Sequence, residues 1–132
     1  MASDFGDLVS TIVTALDGIA GLRVDVAGWP DVVSPPAALL TPTDQADAVL
    51  DESVTVESFE LLVVVQDGGS FRAAQKALHP YTSRTGASSV KAVLRAALGG
   101  NLLSCNRQRF GRFEINGTPY PGVQFALEVI SQ

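Results

Sequence analysis

An α+β fold, with an antiparallel or mixed sheet and about three helices packed on one face, is predicted by three features of this sequence. Apolar residues recur at spacings of three and four near the N-terminus and in two segments between residues 71 and 98, the period of helices buried on one side. They alternate in the last third of the chain, the period of strands. Between these regions Val54 to Gln66, rich in β-branched residues, reads as a central strand. At 132 residues, with 46% hydrophobic and 17% charged, the chain suits one domain spanning 1–132.

Each element follows from local signals. Phe5, Leu8, Val9, Ile12, Val13 and Leu16 form one stripe and predict a helix over 4–18, with Ser3 or Asp4 as its cap and Gly18 or Gly21 as its stop. Leu22 to Val26 is β-rich, Trp29-Pro30 and Pro35-Pro36 mark an extended connection, and Ala37 to Thr41 is the next strand. Residues 42–53 carry Asp44, Asp47, Asp51 and Glu52 without a sustained period, which predicts an acidic loop or arm. In the strand that follows, the mixed half Val54 to Glu60 suits a water-facing position. Leu61 to Val65 is apolar on both faces. Helices can cover one of those faces; the other needs a cover from the chain itself or from a neighbouring subunit.

Ser70 can cap a helix whose stripe is Phe71, Ala74, Ala77, Leu78 and Tyr81, with Pro80 ending it near His79. A second helix, from about Ser88 to Leu98, turns Val90, Val93, Leu94, Ala97 and Leu98 inward and stops at Gly99-Gly100. Leu102 to Phe110 and Phe113 to Asn116 read as strands joined by Gly111-Arg112. The turn Asn116 to Gly122 leads to a last strand with Val123, Phe125, Leu127 and Val129 on one face.

Composition narrows function. The net charge of −5 argues against general nucleic-acid binding, which depends on neutralising phosphates. That average conceals a division, because residues 1–69 hold one basic residue against twelve acidic ones, and residues 70–132 hold eight basic against two acidic. The longest aliphatic run, Leu61 to Val65, is far shorter than a membrane span, and the acidic N-terminus lacks the pattern of a secretory signal, so assembly in a cytoplasm is expected.

Chemical motifs are sparse. One histidine and one cysteine, His79 and Cys105, do not make a zinc site, and neither stands in a nucleophile–base pattern. A positive charge near the end of its helix explains His79, and a partly buried thiol explains Cys105. Gly68-Gly69-Ser70 lacks the spacing of a nucleotide loop and reads as a turn with a cap. The acids of 42–53 lack the spacing of a calcium loop. No enzyme activity, cofactor or metal is therefore expected. Arg107, Arg109 and Arg112, interleaved with Phe110 and Phe113, are the candidate interface residues. Strand alternation places Arg107 and Arg109 on one face and Phe110 on the other, which suits a protein interface or a solvated face better than a nucleic-acid platform.

Taken in order, these segments resemble the tail terminator proteins of long-tailed bacteriophages, especially those infecting actinobacteria. The likeness rests on the N-terminal amphipathic helix running into Gly21-Leu-Arg-Val24, on Trp29-Pro-Asp31 followed by Pro35-Pro-Ala-Ala-Leu39, on Leu78-His-Pro-Tyr81 with Gly86-Ala-Ser-Ser-Val-Lys91, and on Asn116-Gly-Thr-Pro-Tyr120 with Gly122. The resemblance implies a small α+β virion protein, typically a six-fold ring, at the head-proximal end of the tail. Its partners would be copies of itself, the tail tube protein and a head-completion or connector protein. It would end tube growth, offer the surface for head attachment, and touch the exiting DNA only passively, with Asp44, Asp47, Asp51 and Glu52 in an arm or at the lumen. It transfers no catalytic site. A neighbouring head–tail connector, a small non-viral protein-binding adaptor, and an enzyme or ligand-binding domain with an unadvertised site stand as alternatives.

Overall fold

The computed structural model describes residues 5–19, 21–26, 28, 29, 33, 35–48, 51–66, 69–83 and 86–131. In chain order these form α1 (Phe5–Asp17), β1 (Arg23–Val26), β2 (Ala37–Ala48), β3 (Asp51–Val64), α2 (Phe71–Thr82), α3 (Val90–Leu98), a 3-10 turn (Gly99–Asn101), β4 (Leu102–Ile115) and β5 (Thr118–Ser131). The strands are ordered β1-β2-β3-β5-β4. β1 runs parallel to β2, and the remaining pairings are antiparallel. The fold is α+β with a mixed sheet, as predicted.

The helices use the stripes that the spacing predicts. Leu8, Ile12 and Leu16 of α1 are buried, whereas its proposed caps Ser3 and Asp4 lie outside the described residues. Ser70 caps α2, its hydroxyl oxygen accepting from the Ala73 N–H at 3.1 Å. This helix does not end near His79; it continues through Pro80 to Thr82. Proline removes one intrahelical bond, but it stands in the last turn, where little helix remains to be broken. Continuing it buries Tyr81 beside Leu78 and lets the Ser83 N–H donate to the His79 carbonyl at 3.0 Å. Ala77 and Ala97, although on the apolar stripes, are exposed.

Ser89 links the two C-terminal helices. Its buried hydroxyl accepts from the Ala92 N–H at 3.1 Å, capping α3, and donates to the Ser83 carbonyl at the end of α2. One side chain thus satisfies two helix termini that packing has taken out of water.

Three strand boundaries differ from the sequence reading. The expected loop at 42–53 is replaced by strand at 42–48 and 51–53, with 49 and 50 outside the described residues: β2 runs on to Ala48, β3 starts at Asp51, and their ladder reaches Asp47↔Thr55 and Ala48↔Asp51, broken by register shifts between Pro42/Asp44 and Asp47/Ala48. Aspartates have low strand propensity, but pairing to a strong partner strand overrides it, and the shifts interrupt any regular alternation. Gly111-Arg112 is not a turn, because Gly111 pairs with Gly122 and Arg112 with Pro121 inside one continuous β4. The turn is confined to Asn116-Gly117, with φ of 52° and 83°, the left-handed pair that closes a two-residue hairpin.

Pro119 and Pro121 therefore lie within β5. The Pro121 carbonyl accepts from the Val65 N–H at 2.9 Å, so Pro121 turns its backbone polar side toward β3, and Pro119 does the same two residues earlier. β3 ends at Val64, which pairs with Gly122, so the ladder asks no N–H of either proline.

The sheet has two unequal faces. Ala38, Leu40, Phe59, Leu61, Val63, Val123, Phe125, Leu127 and Val129 join α1, α2 and α3 in one core. On the other face Ala37, Val64 and Ile115 form a small cluster, with Trp29, Val33, Leu62 and Tyr120 packed against it. The second cover for Leu61 to Val65 thus comes from the chain itself. Glu57 departs from the water-facing expectation for Val54 to Glu60: it shares the helix-covered side with Phe59, lies opposite Val129, is 3% exposed and is engaged there.

Candidate functional site

The opposed charges of the sequence become two separate features. The first is a ribbon formed by the ends of β2 and β3. β5 accompanies β3 only to Thr55↔Ser131, and β1 accompanies β2 only from Ala37 to Leu40. Beyond these points, among the described residues, β2 and β3 have only each other as strand neighbours. This ribbon carries the positions Asp44, Asp47, Asp51 and Glu52, and no basic residue lies between Pro42 and Glu60.

The second feature is a cleft of about 550 Å³ between α2 and the edge strand β4, lined by Gln75, Leu78, His79, Thr82, Arg107, Arg109 and Phe110. α2 supplies one wall because Leu78 is anchored in the core while Gln75, His79 and Thr82 follow on its outer side. β4 supplies the other wall through an irregularity. Arg107 pairs with Phe125 and Arg109 with Gln124, so the strand gains an extra residue, Gln108, between them. Simple alternation would separate Arg107 from Phe110; the extra residue returns Phe110 to the face of Arg107 and turns Arg109 toward the face of Gln124, so that Arg109 borders the cleft from the sheet edge.

The remaining candidates are divided. Arg112, with Ala74, Phe110, Gly111 and Pro121, lines a smaller adjoining hollow of about 100 Å³. Phe113 lies on the opposite face above Gly122, and the Arg109 guanidinium sits 5.1 Å from its ring centroid. Being on the sheet edge, Arg109 reaches both places. Covered by a guanidinium and by packing on Gly122, Phe113 is a structural ring rather than a free platform for stacking bases.

The charged side chains lining the cleft are basic in type, a chemistry suited to anions. Arg107, Arg109, His79 and Gln75 line it, and among its described lining residues none carries a carboxylate. Paired guanidinium groups match carboxylate or phosphate oxygens through charge-assisted hydrogen bonds. The Thr82 hydroxyl is occupied, donating to the His79 carbonyl at 3.1 Å. His79, expected as a charge near a helix end, stands in the last turn of α2 and also lines this cleft. No signal short of the α2–β4 packing could have joined it to Arg107.

Cys105 is buried on the helix-covered face of β4, where desolvation pushes its thiol from an ordinary 9.0 up to about 11, against the weaker pull of Lys91 and Arg95. A thiol so raised is protonated at neutral pH and is a poor nucleophile. Among the described residues no cluster of three or more His, Cys, Asp and Glu side chains is placed to hold a metal ion. No helix among them is long and apolar enough to cross a membrane.

A scan against known protein families finds no match for this chain. A search of curated proteins finds none either.

Proposed function

We propose that this protein is a structural subunit that assembles with copies of itself, and that its place is the tail terminator ring of a long-tailed bacteriophage. The observation that carries the first part is the separation of acidic ribbon and basic cleft on one sheet. Arg107 stands level with Phe125 and, across it, with Leu61; Thr55, the partner of Asp47, lies six residues further along β3. That is about 20 Å along the strands, and three strand spacings across add about 14 Å. Two paired strands do not fold back over such a distance, so a pairing of the acidic ribbon with the basic cleft has to come from another molecule.

The second part rests on the resemblance set out above. In that role the ring binds the end of the tail tube on one side and a head-completion protein on the other, and needs no catalysis, cofactor or metal. Neutralising the ribbon with Asp44→Asn, Asp47→Asn, Asp51→Asn and Glu52→Gln in the phage that encodes the protein should yield abnormally long tails, headless ones among them, seen by electron microscopy of lysates. Deleting residues 44–52 should do the same while leaving a folded subunit. Headless tails of normal length would assign the chain to a neighbouring connector instead. Normal particles in both variants would overturn the reading.

A further inference from the structure

We infer that the β2–β3 ribbon of one copy docks into the α2–β4 cleft of the next, its carboxylates meeting Arg107 and Arg109. This rests on the reading of the chain as a self-assembling subunit and names the contact that joins the copies.

Three observations converge on it. Among the described residues no other strand accompanies the ribbon beyond Thr55, and its four acidic positions fall between 44 and 52. The cleft is a concavity whose charged lining is basic, with Leu78 and Phe110 as an apolar floor. Within one copy the two are held apart by the ladder, so the pairing is between molecules. A contact of this kind uses different patches on the two partners, which makes it heterologous: each subunit gives a ribbon and receives one. Repetition with rotation then closes a ring.

The competing occupant of a cleft with two arginines is a nucleic-acid phosphate chain. The ribbon is favoured because it supplies complementary charge within the same sequence, and because the neighbouring Phe113 is already covered by Arg109.

Charge exchange tests the contact. Self-association of the wild type is measured by analytical ultracentrifugation across concentration and salt, beside a cleft variant (Arg107→Glu with Arg109→Glu) and a ribbon variant (Asp47→Lys with Asp51→Lys). Each variant alone should associate at least tenfold more weakly than the wild type. Mixed in equal amounts they should associate again, because each then offers the ribbon that the other's cleft accepts. Circular dichroism and thermal melting confirm that both are folded; should either fail to fold, Arg107→Gln and Asp47→Asn replace them, with a smaller loss expected.

A wild type that is monomeric at every concentration up to about 1 mM would overturn the inference. So would undiminished association of both variants, or a mixture no better than its components. Loss of salt-sensitive duplex DNA binding in the cleft variant, with self-association unchanged, would assign the cleft to nucleic acid and overturn it too. The terminator reading is judged separately by the tail phenotype, which these solution results leave standing.

Discussion

The two faces of the sheet show different ways of covering apolar surface. On one, three helices lay continuous stripes across β2, β3, β5 and β4, and Leu61, Val63, Leu127 and Val129 lose all contact with solvent. On the other, a patch is closed by side chains from the connection after β1 and from the β4–β5 hairpin, and Leu62 remains half-exposed. The difference teaches that a strand apolar on both sides does not by itself call for a partner molecule. Here the chain covers both, so the case for assembly rests on charge and on the shape of ribbon and cleft.

Neighbouring leucines offer the widest contrast between the faces. Leu61→Ala should cost about 2–5 kcal/mol, because it opens a cavity under well-packed helices, whereas Leu62→Ala should cost about 1 kcal/mol. Urea denaturation of the two variants compares them, and equal losses would show that the second face is packed as tightly as the first.

Gly122 probes the second face from within. A Cβ there would stand 2.8 Å from the Val63 carbonyl oxygen and 3.0 Å from both Phe113 Cδ2 and Val64 Cγ1. The oxygen belongs to the β3 backbone and cannot yield cheaply. Gly122→Ala should therefore destabilise by about 1–3 kcal/mol, and Gly111→Ala, which meets nothing within 4 Å, much less. Similar melting temperatures for the two would mean that this face yields to accommodate the added carbon.

The smallest effect comes from the helix-covered face. The folded Cys105 thiol holds its proton up to about 11, while the unfolded thiol loses it near 9.0, so between these values the folded state binds more protons and stability falls as pH rises. Burial raises the Tyr81 hydroxyl in the same sense. In Cys105→Ala the alkaline decline should be shallower by about 1 kcal/mol, read from melting curves between pH 8.5 and 11. An unchanged decline would place the thiol in contact with water.

Regular periods made much of this fold legible. The stripes of α1 and α3 and the alternation of β5 name core residues that the structure buries, and Ser70 is visible as a cap. The departures share a physical cause, since each involves a residue whose local preference is overridden by pairing. Asp44 and Asp47 follow a partner strand, Pro80 follows the burial of Tyr81, and Gly111-Arg112 follows the ladder to Gly122 and Pro121. Of the candidate interface, Arg107 to Phe113 was legible as a cluster. Its division between cleft and opposite face was not, because the unpaired Gln108 shifts the register and leaves no mark in composition. The placement of His79 beside the arginines is a tertiary event with no local signature.

The free outer edge of the β2–β3 ribbon has a consequence for solubility. A two-stranded ribbon with unpaired backbone groups along one side is a template for indiscriminate strand addition, the first step toward aggregates. Acidic positions 44, 47, 51 and 52 work against such addition, since two ribbons of like charge repel each other, and the register shifts near Pro42 and Ala48 disturb the straight edge that a second ribbon would need. In the proposed assembly the same charges that set ribbon against ribbon would favour a basic surface as neighbour, so four residues would serve both protection against misassembly and the choice of partner.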